Sequence, residues 1–349
     1  MSRSPDVPVR IQPRRLSDHA RIAVVSPSWG GCGELPARYQ RAVAALEALG
    51  HQVVPMPHAF GVSDGVRGWV SASVADRVDD LHRAFTDPTV DAVLFAIGGN
   101  HSAHLLPQLD FDLIAAHPKL LCGYSDATSL LLALWARIGL TTIYGPALLP
   151  EFGEIGGPDA EVVDWFLRVV TRPEPAGPLP VVPWQATESR IVTDAEGRPR
   201  RREPGEPRRA LRPGVATGTL LPGCLPTIRS LIGTPWEPDW QGVVLHIEPP
   251  EEPYDVRQAD ADLTHLRNAG VLDRLAALTV GRTDGFSERE RQLLDHCVLD
   301  AVAGFDYPVL AGVECAHAAP MLALPVGVVT VVLGGAYLLW LIVHEVRRR

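Results

Sequence analysis

Lys119-Leu120-Leu121-Cys122-Gly123-Tyr124-Ser125-Asp126-Ala127 is the stretch that decides how this chain reads. An apolar run stops at Gly123-Tyr124-Ser125-Asp126-Ala127, and a helical pattern over Thr128 to Ile138 begins at once. Strand, tight turn and helix in that order are the setting of a nucleophile elbow, G-x-S-x-small. Small flanking residues there let the turn hold a serine in a strained, exposed conformation. The Ser125 hydroxyl then stands clear of the sheet, and free N–H groups at the start of the helix face the place where an oxyanion forms. The same residues also fit an ordinary helix start, with Ser125 or Asp126 accepting hydrogen bonds from unpaired amides.

Outward from the elbow, strands and helices alternate. Arg21-Ile22-Ala23-Val24-Val25 is a short buried-strand run ending in Ser26-Pro27-Ser28 and a glycine-rich turn. A helical period from Tyr39 to Leu49 and a strand at Gln52-Val53-Val54 complete one β-α-β unit. Ser71 to Phe85 reads as a second helix, and Val90 to Ile97 as a strand that ends at Gly98-Gly99-Asn100. The pattern predicts an α/β fold with a mostly parallel sheet covered on both faces and a site at the strand C-termini. The expected organisation is a disordered tail over 1–20, a nucleophile domain over 21–150 and an interdomain linker and loop over 151–214. A C-terminal domain follows over 215–327, with an apolar tail over 328–349. The linker is expected because Pro, Gly, Glu and Arg crowd it and Arg198 to Arg212 is strongly basic.

Composition narrows the function classes. The net charge of −9 argues against a nucleic-acid groove, which needs a basic field. Five scattered cysteines without a C-x-x-C spacing support neither a zinc site nor a disulfide framework. Residues 1–20 lack the apolar core of a secretory signal, so a reducing cytoplasm is the expected location. Met321 to Val343 carries no charge, which fits either a membrane-spanning helix or a buried hairpin turning at Gly334-Gly335.

A serine needs a base, and the base needs an orienting carboxylate. Glu248, directly after Val243-Val244-Leu245-His246-Ile247, and His317, after the Pro308–Gly312 strand, stand at strand ends where both belong. By spacing alone Glu251, Glu252 and Asp255 compete with Glu248. His101 and His104, at i and i+3, have no third ligand nearby and read as capping or surface residues rather than a metal pair.

Many ordered segments resemble the LD-carboxypeptidase family of serine peptidases, which includes the microcin C immunity hydrolases. They include Val25-Ser26-Pro27-Ser28, Gly98-Gly99, the run from Leu106 to Ile114, Gly123-Tyr124-Ser125-Asp126 and Tyr144-Gly145-Pro146. In the second half they are Gly233-Thr234-Pro235, Ile247-Glu248, Pro253-Tyr254, His317 and Leu324-Pro325-Val326-Gly327. The resemblance implies a Rossmann-like parallel-sheet N-terminal domain and a smaller β-rich α/β C-terminal domain. It implies Ser125 as nucleophile, His317 as general base and Glu248 as its orienter. The backbone amides at Gly99 and Asp126 become the oxyanion hole, and Asn100, Tyr124 and Trp184 contact substrate. It calls for no metal or organic cofactor, a homodimer, and a small peptide or peptidyl-nucleotide substrate.

Ile97-Gly98-Gly99, Tyr124 and Tyr144-Gly145-Pro146 are similar to the immunity branch. The alternative in the family is removal of a terminal D-alanine from a murein tetrapeptide. Arg67 and Arg229 are candidate cations for a substrate carboxylate. Two departures stand out. Pro222-Gly223-Cys224 occupies a place where the family usually has Gly-Gly-Asn, and Val328 onward resembles the last membrane helix of iron–siderophore permeases. The reading from another class is a non-catalytic binding protein anchored to a membrane by its tail.

Overall fold

The computed structural model describes residues 10–61, 68–251, 253–333 and 338–342. Five short strands come first: β1 (Arg21–Val25), β2 (Gln52–Pro55), β3 (Ala92–Phe95), β4 (Leu120–Gly123) and β5 (Ile143–Tyr144). They pair in parallel in the order β5-β4-β3-β1-β2. β3 and β4 are buried at every position, as apolar runs without alternation require when helices cover both faces. Three two-residue strands follow: β6 (Gly177–Pro178), β7 (Trp184–Gln185) and β8 (Glu203–Pro204), the last two paired with each other.

The second sheet uses β9 (Arg209–Arg212), β10 (Val215–Cys224), β11 (Val243–Glu248), β12 (Ala277–Gly281) and β13 (Val309–Val313). β10 to β13 run parallel, with β9 antiparallel at one edge. The chain then returns to the first sheet, where β14 (Leu324–Pro325) pairs antiparallel with β5. It ends in β15 (Val328–Leu333) and β16 (Leu338–Ile342), an antiparallel pair that extends the second sheet beside β10 and carries β6 at its outer edge. Both sheets thus aim the C-terminal ends of their parallel strands at a shared crevice, the usual place for a site in such folds.

One open choice closes and two expectations change. The tail takes the strand alternative and not the membrane helix: residues 328–333 and 338–342 are antiparallel strands, and no helix among the described residues is long and apolar enough to cross a membrane. Along β15 buried and half-buried positions alternate, the period of a sheet and not of a helix. The expected turn at Gly334-Gly335 lies outside the described residues.

The first change is at the start of the chain. Residues 10–20 are placed rather than disordered: Ile11 bridges to Leu140, and Leu16 is buried with its N–H on the Val170 carbonyl. Two apolar side chains, Ile11 and Leu16, give that polar stretch something to bury.

Second, the segment 151–214 contributes to the core. Its helix Ala160–Thr171 buries Val162, Val163, Trp165, Phe166 and Val170, and the Trp165 indole N–H donates to the Ala323 carbonyl at 2.9 Å. Arg198, Arg200, Arg202, Arg208 and Arg209 within it all form ion pairs. Arg208 and Arg282 both meet Glu314, all three side chains being almost completely buried. Their terminal nitrogens also donate to the carbonyls of Leu179, Pro180, Val182 and Trp184, which straps this segment over the second sheet.

The hairpin predicts a face-dependent effect. Val332→Asp, which buries a charge inside the sheet, is expected to cost roughly 3 kcal/mol. Val331→Asp, on the half-buried face, is expected to cost much less. Urea midpoints of the two variants check this; equal losses contradict the placement of β15.

Candidate functional site

The elbow is held by steric demands that only glycine meets. Ser125 follows the Tyr124 position after β4 with φ of +60°, and no other non-glycine among the described residues has a positive φ. A Cβ on Gly123 would come within 2.7 Å of the Phe95 ring, and one on Gly98 within 2.9 Å of Ser125 Cβ and 3.1 Å of Ser125 Oγ. Strain of this kind persists only where the surroundings impose it. They do so here: Thr128 Oγ1–H donates to the Ser125 carbonyl at 2.6 Å and accepts the Cys224 N–H at 2.9 Å.

The helix-start alternative does not hold, because the helix Thr128–Ile138 has no side-chain cap. The Asp126 carboxylate instead accepts the N–H groups of His101 and Ser102, at 3.0 and 2.8 Å. That clasps the Gly98–Ser102 turn onto the elbow, and a Cβ on Gly98 would lie 3.6 Å from the Asp126 nitrogen.

Two groups from the second sheet meet the serine. Glu248 closes β11 with no solvent exposure, and His317, in the segment after β13, is 4% exposed. The His317 Nδ1–H donates to Glu248 Oε2 at 2.6 Å, and His317 Nε2 lies 3.0 Å from Ser125 Oγ. The other oxygen, Glu248 Oε1, accepts the Tyr144 hydroxyl at 2.5 Å, and the Tyr144 oxygen accepts the Ser125 N–H at 3.2 Å. The competing Glu251 is an exposed residue, and its Oε2 stands 3.0 Å from His317 Nε2.

Burial alone lowers the His317 pKa, but Glu248 and then Glu251 oppose it and lift it to about 9, while Arg190 pulls it back. A carboxylate facing the Nε2 atom favours the imidazolium, so Glu251 works against the neutral form that accepts a proton. Asp284, on the loop after β12, is raised to about 6 by burial, against Arg190 and His317.

The remaining candidates are dispersed. Tyr124 is 4% exposed; its ring packs edge-on to His317 with centroids 5.1 Å apart, and its hydroxyl donates to Glu151. Asn100 is exposed one residue beyond Gly99. Trp184 lines a separate cavity of about 200 Å³ whose lining does not include Ser125, with Arg202 4.0 Å over its ring and its indole N–H on Glu161. Arg229 is paired with Asp262, and Arg67 lies outside the described residues. The His101 and His104 rings pack at a tilt with centroids 5.2 Å apart, and no group of three or more metal-binding side chains occurs among the described residues. Cys224, at the departure from the family pattern, is buried and contributes its N–H to Thr128. Spacing missed Tyr144 and Arg190, and it offered Glu251 only as a rival to Glu248, not as a second carboxylate on the histidine. The Tyr-Gly-Pro motif pointed to the first of these without saying what it touches.

The sequence profile of the LD-carboxypeptidase N-terminal domain matches residues 22–145, and that of the C-terminal domain matches 217–332. The chain belongs to the LD-carboxypeptidase family. Its relatives include the microcin C7 self-immunity protein MccF of Escherichia coli, 30% identical over 83% of this chain and 84% of that protein. A Bacillus subtilis protein assigned as a murein peptide carboxypeptidase is 30% identical over 90% of this chain and 89% of its own length. Among solved structures, an MccF-like protein from Bacillus anthracis superposes with a TM-score of 0.86 at 26% identity, covering 96% of this chain and all of that one. MccF solved with aspartyl sulfamoyl adenosine gives 0.83 at 26% identity, over 96% and 99% of the two chains. The chain is therefore a hydrolase of the serine-peptidase type, with the α/β architecture of MccF.

The electrostatics predict a titration. His317 is expected to titrate near pH 9 in an NMR series on its ring carbons, and Glu251→Gln to bring that midpoint down by removing one charge that favours the imidazolium. The folded pKa lies above the ordinary 6.5, so the imidazolium's contribution to stability is complete below 6.5 and is lost as pH rises through about 9. A midpoint that E251Q leaves in place contradicts the pairing.

Proposed function

We propose that this protein cleaves an amide bond through an acyl-enzyme formed on Ser125. The observation that carries this reading is the hydrogen-bonded run from Ser125 Oγ through His317 to Glu248, with the serine on a strained elbow. Ser125 Oγ attacks the carbonyl carbon while its proton passes to His317 Nε2. Glu248 stays ionised and, by accepting the Nδ1–H, fixes the tautomer that leaves Nε2 free to accept. The oxyanion takes the N–H groups of Gly99 and Asp126, which the Asp126 clasp keeps side by side. His317 then gives its proton to the leaving nitrogen, the C–N bond breaks, and water repeats the sequence on the ester.

The preferred substrate is an amide joining an acidic residue to a modified nucleotide. MccF, solved with aspartyl sulfamoyl adenosine and with glutamyl sulfamoyl guanosine, supports this choice. Tyr124 packs against His317 beside the reacting centre, while Asn100, after the Gly98–Gly99 turn, and Trp184, in its own cavity, are the candidates for contacts farther along the substrate. The second reading, removal of D-alanine from a murein tetrapeptide, is favoured by the Bacillus subtilis relative that matches along nearly its whole length. A homodimer belongs to the same proposal.

Purified protein is expected to hydrolyse aspartyl sulfamoyl adenosine faster than a murein tetrapeptide, as followed by product chromatography. Ser125→Ala is expected to lower turnover by about 10⁴-fold or more. Turnover by the alanine variant at the wild-type rate would sink the serine mechanism, and strong inhibition by EDTA would replace it with a metal-dependent one. A pH series of kcat/KM is expected to climb through the neutral range towards pH 9 as His317 loses its proton.

A further inference from the structure

The hydrogen bonds around the serine close on themselves. Starting at Ser125 Oγ, they run to His317 Nε2, from Nδ1 to Glu248, from Glu248 to the Tyr144 hydroxyl, and from there to the Ser125 N–H. Tyr144 sits at the end of β5 on the first sheet and is completely buried. Its hydroxyl nonetheless ties the orienting carboxylate of the second sheet to the backbone of the nucleophile.

The chemistry of that contact is restrictive. A phenol has a single proton, and here it goes to Glu248 Oε1, which leaves a lone pair for the Ser125 N–H. Glu248 has no exposure, so each carboxylate oxygen depends on one partner, Tyr144 for Oε1 and His317 for Oε2. Removing the phenol proton leaves a buried carboxylate oxygen without a donor and concentrates negative charge on the side of His317. The Ser125 N–H is also turned towards Tyr144, so the amides left for an oxyanion are those of Gly99 and Asp126. Burial first, and Glu248 next, hold the Tyr144 phenol well above its ordinary range, so it remains a donor throughout the working pH range.

We propose that Tyr144 is a positioning residue of the hydrolytic site: its hydroxyl fixes the orientation and charge of Glu248, and through Glu248 the basicity of His317, while it locks the Ser125 backbone in its strained turn. The proposal rests on the serine-hydrolase reading. It predicts more than a structural role because it ties one buried phenol to the titration of an imidazole it does not touch. The other charged or titratable groups around His317 are Glu248 and Glu251 at and beyond the end of β11, Asp284 after β12, Arg190 on the helix Arg190–Glu196 and Tyr124 on the elbow. Tyr144→Phe leaves each of these residues in the chain, and the one hydrogen bond among them that it removes is the hydroxyl's to Glu248.

The test uses the full-length protein and Tyr144→Phe, which keeps the ring and removes the hydroxyl. Expected are a kcat lowered about 10- to 100-fold with KM within about twofold, and an acid limb of kcat/KM displaced to higher pH. The displacement follows because the imidazolium gains a more negative carboxylate neighbour. 3-Fluorotyrosine at 144 keeps the volume and strengthens the donor, so it is expected to move the limb the other way, and it supplies the measurement if the phenylalanine variant does not fold. An unmoved limb with either replacement, or a raised KM with unchanged kcat, overturns the proposal. The NMR midpoint of His317, measured with Tyr144→Phe in a Ser125→Ala background, needs no turnover. It is expected to rise even if the substrate reading fails, and a midpoint that stays put rejects the coupling on its own.

Discussion

A buried carboxylate sets the terms for the rest of this molecule. Glu248 has no contact with water, and an ionised group in that position is costly unless each oxygen finds a donor. One donor comes from the first sheet, the Tyr144 hydroxyl, and the other from the segment after β13, the His317 Nδ1–H. Both are in place only when the two sheets face each other at the C-terminal ends of their strands. The same requirement brings the Ser125 turn under the imidazole, so the demand that stabilises the interface also assembles the site.

Buried charges do similar work around the periphery. Glu314 receives Arg208 and Arg282 and pins the segment after Thr171 onto the second sheet. Asp126 collects the amides of His101 and Ser102 and keeps the Gly98–Gly99 turn against Ser125. Arg190 is held by Glu151 and Glu154, and Glu151 also accepts the Tyr124 hydroxyl that backs the ring beside His317. Such pairs add little net stability, since desolvation offsets much of their attraction. Their effect is on register: a connection carrying an unpaired buried arginine cannot settle elsewhere.

Much of the site was legible because its constraints are local. Gly123 and Ser125 announce the elbow, since a β-strand running into a helix through a positive φ needs small residues there. Glu248 was harder. Glu248, Glu251, Glu252 and Asp255 fall within eight residues, and spacing cannot tell which carboxylate faces inwards. The sheet decides it, because Glu248 is the last residue of β11, paired with Cys224 at the end of β10. The tail stayed open between helix and hairpin for a related reason. Val329 and Val331 are only half-buried yet apolar, so the alternation that marks a strand is absent from the letters and present only in the burial. The arginines from 198 to 212 show only as a basic run in the sequence because their partners, Glu188, Glu314 and Asp295 among them, are supplied from other parts of the chain.

The sequence by itself determined the α/β class, the elbow, the family and the identity of the chemical groups, because each depends on short-range patterns: apolar runs, glycines beside a serine, motifs in a fixed order. Only the tertiary structure decided which nitrogen of the histidine each carboxylate meets, that a tyrosine closes the circuit, and that the last apolar residues complete a sheet. Those outcomes depend on contacts between residues far apart in the chain. They are settled by where two sheets can meet while leaving no buried charge without a partner.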